Sequence, residues 1–297
     1  MVASGLWLAP AIIDAHVHLS VPGDLHEVAR EELRRGVAAV LDLGEPERLL
    51  AVLPGLGPLR VRFAGPLLTA PRGYPTQSWG KDGYGLELST PSAARAAVLR
   101  LKDSGARFLK LVFDARFPVL AADVARAAAD EAHAQGMLVA AHALELSSVH
   151  RALAAGADVL AHTPTEALPP EVVAEICARN LWVISTLHAL GGLGLANLRA
   201  LHAGGARIVY GTDLGNQGTS VGVCAEELAL LSRAGLGPRE VLDAATRLPA
   251  QLLGYEDLGQ LMPGSAASLL ALSADPLRDP TALSRPTWVM IEGHRQE

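Results

Sequence analysis

The sequence predicts a closed (β/α)8 barrel with a small β appendage formed by the two termini. Short apolar segments rich in β-branched residues alternate with amphipathic helical segments over most of the chain. With 297 residues and 50% hydrophobic content, the chain can bury a large core, and its length suits one barrel or two smaller domains. We expect the barrel at residues 10–254 and the β subdomain at residues 1–9 plus 255–297.

Eight apolar segments supply the predicted barrel strands, at residues 8–13, 37–43, 60–64, 108–113, 137–142, 158–162, 182–186 and 207–210. Segments with helical periodicity follow them, at residues 24–35, 47–53, 91–102, 121–135, 147–155, 170–179 and 197–203. Two further helices, at 223–234 and 238–248, are expected to pack outside the barrel. Strands of the appendage are expected at 266–272 and 287–291.

Residues 65–90 form the longest predicted loop. This segment has three prolines, five glycines and the aromatic residues Tyr74, Trp79 and Tyr84. Loops of this length within a compact domain usually have a function. We therefore take its aromatic residues as candidates for lining a pocket.

Composition excludes several classes of partner. The formal net charge is −6 with no long block of like charge, so nothing indicates binding to nucleic acid or to an anionic membrane. A small-molecule partner is the better expectation. Cys177 and Cys224 are isolated, as expected of packed thiols in a reducing cytoplasm. The N-terminal apolar run is too short to span a bilayer and lacks the basic region of a signal peptide.

His16 and His18 form the clearest chemical motif. Two imidazoles two residues apart on an extended segment point the same way, so they can bind one metal ion. An isolated pair of this kind is often a pair of packing or surface histidines, so its meaning depends on the rest of the chain.

Further residues of metal-ligand type end other predicted strands. His142, His162 and Asp213 each follow an apolar run, and active sites of such barrels lie where the strands end. Any one of them could be a satisfied buried polar residue. Together they are difficult to explain by packing, because unpaired polar groups at buried positions cost several kcal/mol.

Lys110 lies inside the apolar strand at 108–113. It could point outward between helices, with its charged end in water. If it faces the barrel interior, a free ammonium would be costly. Our interpretation is that the amine has reacted with carbon dioxide to form a carbamate, an anionic ligand that bridges two metal ions.

With these motifs in order, the sequence resembles the amidohydrolase superfamily of metal-dependent TIM-barrel hydrolases, in its imidazolonepropionase-like and prolidase-like branch. The matching segments are residues 13–18, Lys110, His142, His162, 211–213, 262–265 and 275–277. The resemblance covers nearly the whole chain. It implies a metal-dependent hydrolase of C–N bonds.

The resemblance also implies a ligand set. His16, His18 and Asp213 would hold one divalent ion and His142 and His162 a second, bridged by carbamylated Lys110 and a hydroxide. Asp213 would act as general base and then general acid. Zinc suits these ligands, and manganese, iron or cobalt would also fit.

Five side chains are candidates for substrate binding: Tyr74, Trp79, Tyr84, His188 and Asn216. Residues 72–74 replace a glycine-glycine-histidine often found in related chains, so the substrate stays open among dipeptides, N-acyl amino acids, cyclic amides and lactones. The alternative functions are a mononuclear deaminase using Glu145, a lactonase and a catalytically silent scaffold. The presence of Lys110 disfavours the deaminase, and the complete set of ligand-type residues disfavours the silent scaffold.

The appendage is expected to be truncated, since related chains have a longer N-terminal arm; either the arm is short here or an upstream start was missed. The strands at 266–272 and 287–291 would then lack their usual partners. Because proteins cover or pair such edges, we expect a neighbouring subunit in a homo-oligomer, or residues 1–9, to cover this one.

Overall fold

The computed structural model describes residues 5–297, which contain fourteen strands and nine α-helices. The strands are β1 (Trp7–Pro10), β2 (Ile12–Val17), β3 (Val37–Asp42), β4 (Arg60–Phe63), β5 (Leu67–Thr69), β6 (Gly85–Glu87), β7 (Phe108–Phe113), β8 (Leu138–Ala143), β9 (Val159–Leu160), β10 (Trp182–Ile184), β11 (Arg207–Val209), β12 (Leu269–Leu272), β13 (Trp288–Ile291) and β14 (His294–Arg295). The helices are α1 (Leu25–Arg34), α2 (Pro91–Asp103), α3 (Ala122–Ala134), α4 (Leu146–Ala155), α5 (Pro170–Ala178), α6 (Leu195–Ala203), α7 (Ala225–Arg233), α8 (Pro238–Ala245) and α9 (Arg247–Leu253).

Two parallel sheets form the barrel. One has the order β2-β3-β4 and the other the order β11-β10-β9-β8-β7-β5-β6. Backbone hydrogen bonds join them at both ends: Asp213 N–H donates to the carbonyl of His16 (2.8 Å), and Arg107 N–H to that of Phe63 (3.1 Å). The ring is therefore continuous, and the predicted barrel is confirmed.

Side-chain alternation divides the core into two layers. Phe108 and Ala140 belong to the cluster inside the barrel, whereas Leu109 and Leu111 pack in the layer between strands and helices. The same alternation turns Lys110 inward, and its side chain is fully buried. This result excludes the outward-facing lysine.

The terminal sheet has the order β1-β12-β13-β14. Strand β1 runs antiparallel to β12, from Trp7 opposite Leu272 to Pro10 opposite Leu269. The predicted strand at 8–13 is therefore two strands, because Pro10 has no N–H and the chain passes from one sheet to the other at Ala11. Pairing of the appendage by the N-terminal segment is confirmed for residues 7–9, while residues 1–4 lie outside the described residues.

Other predicted segments also differ from the structure. The expected helix at 238–248 is two helices, α8 and α9, which meet at Thr246. The expected helix at 47–53 is a pair of 3₁₀ turns, Glu47–Leu49 and Leu53–Gly55, because Pro54 and Gly55 interrupt a segment too short for α-helical bonding. The expected loop at 65–90 contains β5, β6 and a 3₁₀ turn, Trp79–Asp82. Its three-residue strands are too short to show a periodicity. Within residues 5–297, no helix has both the length and the apolar character to cross a membrane.

Glu32 is a buried carboxyl on α1, outside the barrel. One oxygen accepts the N–H of Gly222 (3.1 Å), and the other has no hydrogen-bond partner within the described residues. Burial, aided by the negative charge of Asp14, raises its pKa from 4.5 to about 8. The folded protein therefore keeps this proton at pH values where the unfolded chain has lost it.

We predict that this proton makes the free energy of unfolding fall between pH 4.5 and 8. Glu32→Gln should remove this contribution, leaving the variant more stable than the wild type by roughly 4 kcal/mol at pH 8 and similar to it near pH 4.5. Denaturant unfolding across this pH range measures the difference. Glu27→Gln, at an exposed position of α1, is the control, and an equal gain there would contradict the prediction.

Candidate metal centre

The C-terminal end of β2 carries His16 and His18, which are both buried. The carboxylate of Asp14 accepts three hydrogen bonds, from Thr212 N (3.0 Å), Thr212 Oγ1 (2.6 Å) and His16 N (3.0 Å). These bonds tie the first barrel strand to the end of the last. Asp14 thus sets the relative position of His16 and Asp213.

Backbone carbonyl groups orient both imidazoles. His16 Nδ1 donates to the carbonyl of Ala161 (2.8 Å), and His18 Nδ1 to that of Gly44 (3.3 Å). Because a carbonyl only accepts, Nδ1 carries the proton in each ring and Nε2 has a free lone pair. Both Nε2 atoms face Asp213 Oδ1, at 3.4 and 3.5 Å. The ligand atoms of these three residues all lie within 4.8 Å of one another.

Asp213 follows β11 with φ of 56°, and Thr186 follows β10 with φ of 42°. Non-glycine residues rarely adopt this left-handed conformation, which costs energy and concentrates at functional sites. Burial alone would raise the pKa of the Asp213 carboxyl, but His162, His18 and Lys110 outweigh it and hold the pKa below its usual value. Asp213 therefore remains a carboxylate.

Lys110, His142 and His162 complete the cluster. Lys110 Nζ lies 3.4 Å from His16 Nε2. The ring centroid of His162 lies 4.7 Å from that of His16 and 4.8 Å from that of His142. His142 Nε2 is buried without a hydrogen-bond partner in the described part of the chain, whereas Nδ1 of His162 shares a 3.0 Å bond with Thr186 Oγ1. The structure thus brings together all six strand-end residues that the sequence singled out.

Burial favours the neutral forms of the basic groups. It lowers the pKa of Lys110 to about 7. Burial, together with the charge of Lys110, lowers the pKa of His142 to about 4. Burial likewise lowers the pKa of His16 and His162. Unprotonated nitrogen is the form that binds a metal ion, so this donor set fits divalent cations.

A cavity of about 420 Å³ opens above these residues. It is lined by His18, Val21, Leu67, Tyr74, Trp79, Lys110, Arg116, His142, Leu144, His162, Leu190, Asp213, Gly215, Asn216 and Gln217. Its volume lies in the range that holds small organic ligands. Tyr74, Trp79 and Asn216 were candidates from the sequence.

The other two substrate-binding candidates, Tyr84 and His188, are not among these lining residues. The Tyr84 hydroxyl shares a 2.6 Å hydrogen bond with Ser20 Oγ, and the backbone N–H of His188 donates to Glu227. Glu145, on which the deaminase alternative depends, also lies outside the lining. It accepts a hydrogen bond from Ser148 Oγ (2.9 Å).

Tyr74 and Trp79 form an aromatic wall against the metal-ligand residues. Tyr74 stacks on His142 with ring centroids 5.3 Å apart, and the ring of Trp79 meets His18 edge-on at 5.2 Å. Trp79 Nε1 donates to the Tyr74 hydroxyl (2.9 Å), which fixes the two rings relative to each other. The segment between β5 and β6 is therefore part of the site.

Sequence reasoning missed Arg116. It lies three residues beyond the end of β7, the strand that carries Lys110, and lines the cavity. The rule that such barrels place functional side chains in the loops after strands could have identified it. Its position there gives the cavity a cationic side chain outside the ligand cluster.

Comparisons with known proteins support the fold and identify the family that the chain resembles. The sequence model of the Amidohydrolase family matches residues 7–295. An uncharacterised protein of Mycobacterium tuberculosis is 28% identical, over 98% of this chain and 86% of its own length. A structure described as "putative prolidase from Bifidobacterium longum" is 27% identical with a TM-score of 0.84, covering 99% of this chain and 81% of that one. A Xaa-Pro dipeptidase structure with bound methionine in the active site has the same fold, with a TM-score of 0.84, 21% identity and coverage of 99% and 87%.

We predict that Gly44→Ala disturbs the site without removing a ligand. A Cβ atom at Gly44 would lie 2.6 Å from the ring of His18 and 2.6 Å from Leu67. Such overpacking should lower the free energy of unfolding by about 1–3 kcal/mol, measured by denaturant titration. Gly23→Ala is the matched control, since its Cβ would meet nothing within 4 Å. Equal stability of the two variants would show that His18 is not held against Gly44.

Proposed function

Because this chain belongs to the amidohydrolase family, we propose that it hydrolyses an amide C–N bond at a binuclear metal centre formed by the strand-end residues. This proposal rests on one observation: four histidines, a lysine and an aspartate lie close together next to one cavity. A packing role would leave the buried Nε2 of His142 without a hydrogen-bond partner among the described residues, and this is costly.

His16, His18 and Asp213 would hold one divalent ion, and His142 and His162 the other. The buried Nε2 of His142 supports this assignment, because it has no hydrogen-bond partner among the described residues and its ring lies 4.8 Å, centroid to centroid, from that of His162. Zinc is the expected metal, and manganese, iron or cobalt would suit the same mixture of imidazole and carboxylate.

Lys110 would serve both ions as a carbamate. Its neutral amine attacks carbon dioxide, a C–N bond forms, and one proton leaves to solvent, so a buried base becomes an anion. Lys110 Nζ lies 3.4 Å from His16 Nε2 and lines the same cavity as His142, so the oxygens of a carbamate would lie near the other proposed ligands. Binding to two cations would offset the cost of burying the negative charge.

When bound, the ions would lower the pKa of water and polarise the scissile carbonyl. The chain supplies proton transfer through Asp213, whose carboxylate accepts a proton from the attacking water and returns it to the leaving nitrogen. Asn216 Nδ2 donates to Asp213 Oδ2 (3.1 Å), which orients this carboxylate. The wall of Tyr74 and Trp79 would exclude bulk water from the reacting atoms.

We predict that the purified protein binds about two divalent ions per chain, measured by elemental analysis after dialysis. His142→Ala and His162→Ala should each lower both the metal content and the hydrolytic activity. His150→Ala, at an exposed position on α4, is the control and should leave both unchanged. Full metal occupancy in a His16→Ala/His18→Ala double variant would refute the proposed ligand set.

We predict that Lys110 is carbamylated. Protein prepared with ¹³C-bicarbonate should show a carbamate carbonyl resonance that disappears in Lys110→Ala and persists in Lys102→Ala. Lys110→Ala should abolish turnover, and added formate or acetate should restore part of it by filling the vacated ligand position. An active wild-type enzyme with an unmodified Lys110 amine and a single metal ion in a high-resolution map would overturn the binuclear proposal.

A further inference from the structure

We infer that Arg116 binds a carboxylate of the substrate, so that the enzyme acts on amides that carry a free carboxyl group. This inference rests on the proposed function and narrows it to one substrate class. It starts from the place of Arg116 in the cavity wall, beside Tyr74 and His142. The strand that presents Lys110 to the reacting atoms thus continues into a loop that presents a guanidinium group to the bound molecule.

Asp114 holds this guanidinium in one orientation. Nε of Arg116 donates to Asp114 Oδ1 (3.0 Å) and Nη2 to Oδ2 (2.7 Å), while the backbone N–H of Arg116 donates to Oδ1 (3.0 Å). The Asp114 carboxylate is 1% exposed, whereas the Arg116 side chain is 67% exposed. A buried acceptor therefore anchors an accessible donor, and Asp114 acts as a positioning residue.

The guanidinium retains an edge for a second anion. It has five N–H donors, and Asp114 takes one from Nε and one from Nη2. One donor of Nη1 and the second donor of Nη2 lie on the same edge and form the fork that binds a carboxylate through two parallel bonds. Nη1 donates to no acceptor within the described residues. That edge is available to a ligand.

The charge of the lining also favours an anionic substrate. Among the described residues that line the cavity, Asp213 supplies the single carboxylate, and it is committed to the proposed metal centre. Apart from the residues of the proposed metal centre, the ionisable lining groups are Arg116 and Tyr74, and burial raises the pKa of the Tyr74 phenol, which keeps it neutral. Among the described residues, the carboxylates that interact with the Arg116 guanidinium are Asp114, which is already satisfied, and Glu145, which lies outside the cavity lining.

The remaining lining limits the size and polarity of the substrate. Tyr74, Trp79 and Leu190 give an apolar wall, and a volume of about 420 Å³ suits a dipeptide or an N-acyl amino acid. Such molecules combine an amide, an apolar group and a carboxylate. Neutral lactams and lactones lack the group that Arg116 would bind, so we expect them to be poor substrates.

The test compares pairs of substrates that differ only in the carboxyl group. Metal-loaded full-length enzyme is assayed with Leu-Pro against Leu-prolinamide, and with N-acetyl-leucine against N-acetyl-leucinamide. We expect the free acids to be preferred about 10- to 100-fold in kcat/KM, since hydrogen bonds to charged groups have this strength. Arg116→Gln should remove the preference by raising KM for the acids much more than KM for the amides.

Two further variants separate binding from structure. Arg116→Lys keeps the charge but loses the fork, so it should retain part of the preference. Arg126→Gln, at an exposed position on α3, is the matched control and should keep the full preference. An equal loss of activity on acids and amides in Arg116→Gln would mean that the residue only supports Asp114, and the inference would be wrong.

Direct binding measurements distinguish a failure of the Arg116 inference from a failure of the proposed hydrolytic function. Calorimetry with the metal-loaded protein compares L-proline with L-prolinamide, and N-acetyl-leucine with its amide, in the wild type and in Arg116→Gln. Hydrolysis of acids and amides at equal rates by the wild type would overturn the role of Arg116 and leave the proposed function standing. Failure to hydrolyse any pair would count against these substrates and the proposed function, while selective acid binding that is lost in Arg116→Gln would still support the anion site.

Discussion

The site depends on keeping six polar side chains out of water at one end of the barrel. A lysine amine, four imidazoles and a carboxylate lie among apolar strand residues, where an unpaired charge is expensive. Burial therefore removes the proton from the bases and lowers the pKa of Lys110 to about 7. The same desolvation that costs stability prepares nitrogen lone pairs for cations. The large apolar core around the strands supplies the stability that such a cluster consumes.

Three of the ligand-type imidazoles are oriented by different parts of the barrel. His16 donates to Ala161 beyond β9, His18 to Gly44 beyond β3, and His162 shares a hydrogen bond with Thr186 beyond β10. Asp14 joins the first strand to the last through Thr212. The geometry of the site therefore exists only when the barrel is closed.

Chemistry and recognition are supplied by different parts of the fold. The strand ends hold the groups that would act on the amide in the proposed function, and their positions are fixed by the parallel sheet. The loop after β5 adds Tyr74 and Trp79, which contact His142 and His18, and the loop after β7 adds Arg116 to the lining of the same cavity. Loops can change without disturbing the strands, so substrate choice can vary on a constant centre.

The sequence by itself determined the barrel strands and the ligand-type residues, because hydrophobic periodicity is local and His16, Lys110 and Asp213 each stand within or just after an apolar run. The tertiary structure decided that residues 8–13 divide between two sheets and that β5 and β6 pair, since three-residue strands form only against a neighbour. It also decided which loop side chains reach the cavity. The Tyr84 hydroxyl bonds to Ser20, and the Arg116 guanidinium bonds to Asp114 in its own loop. Such contacts leave no periodic signal in the sequence.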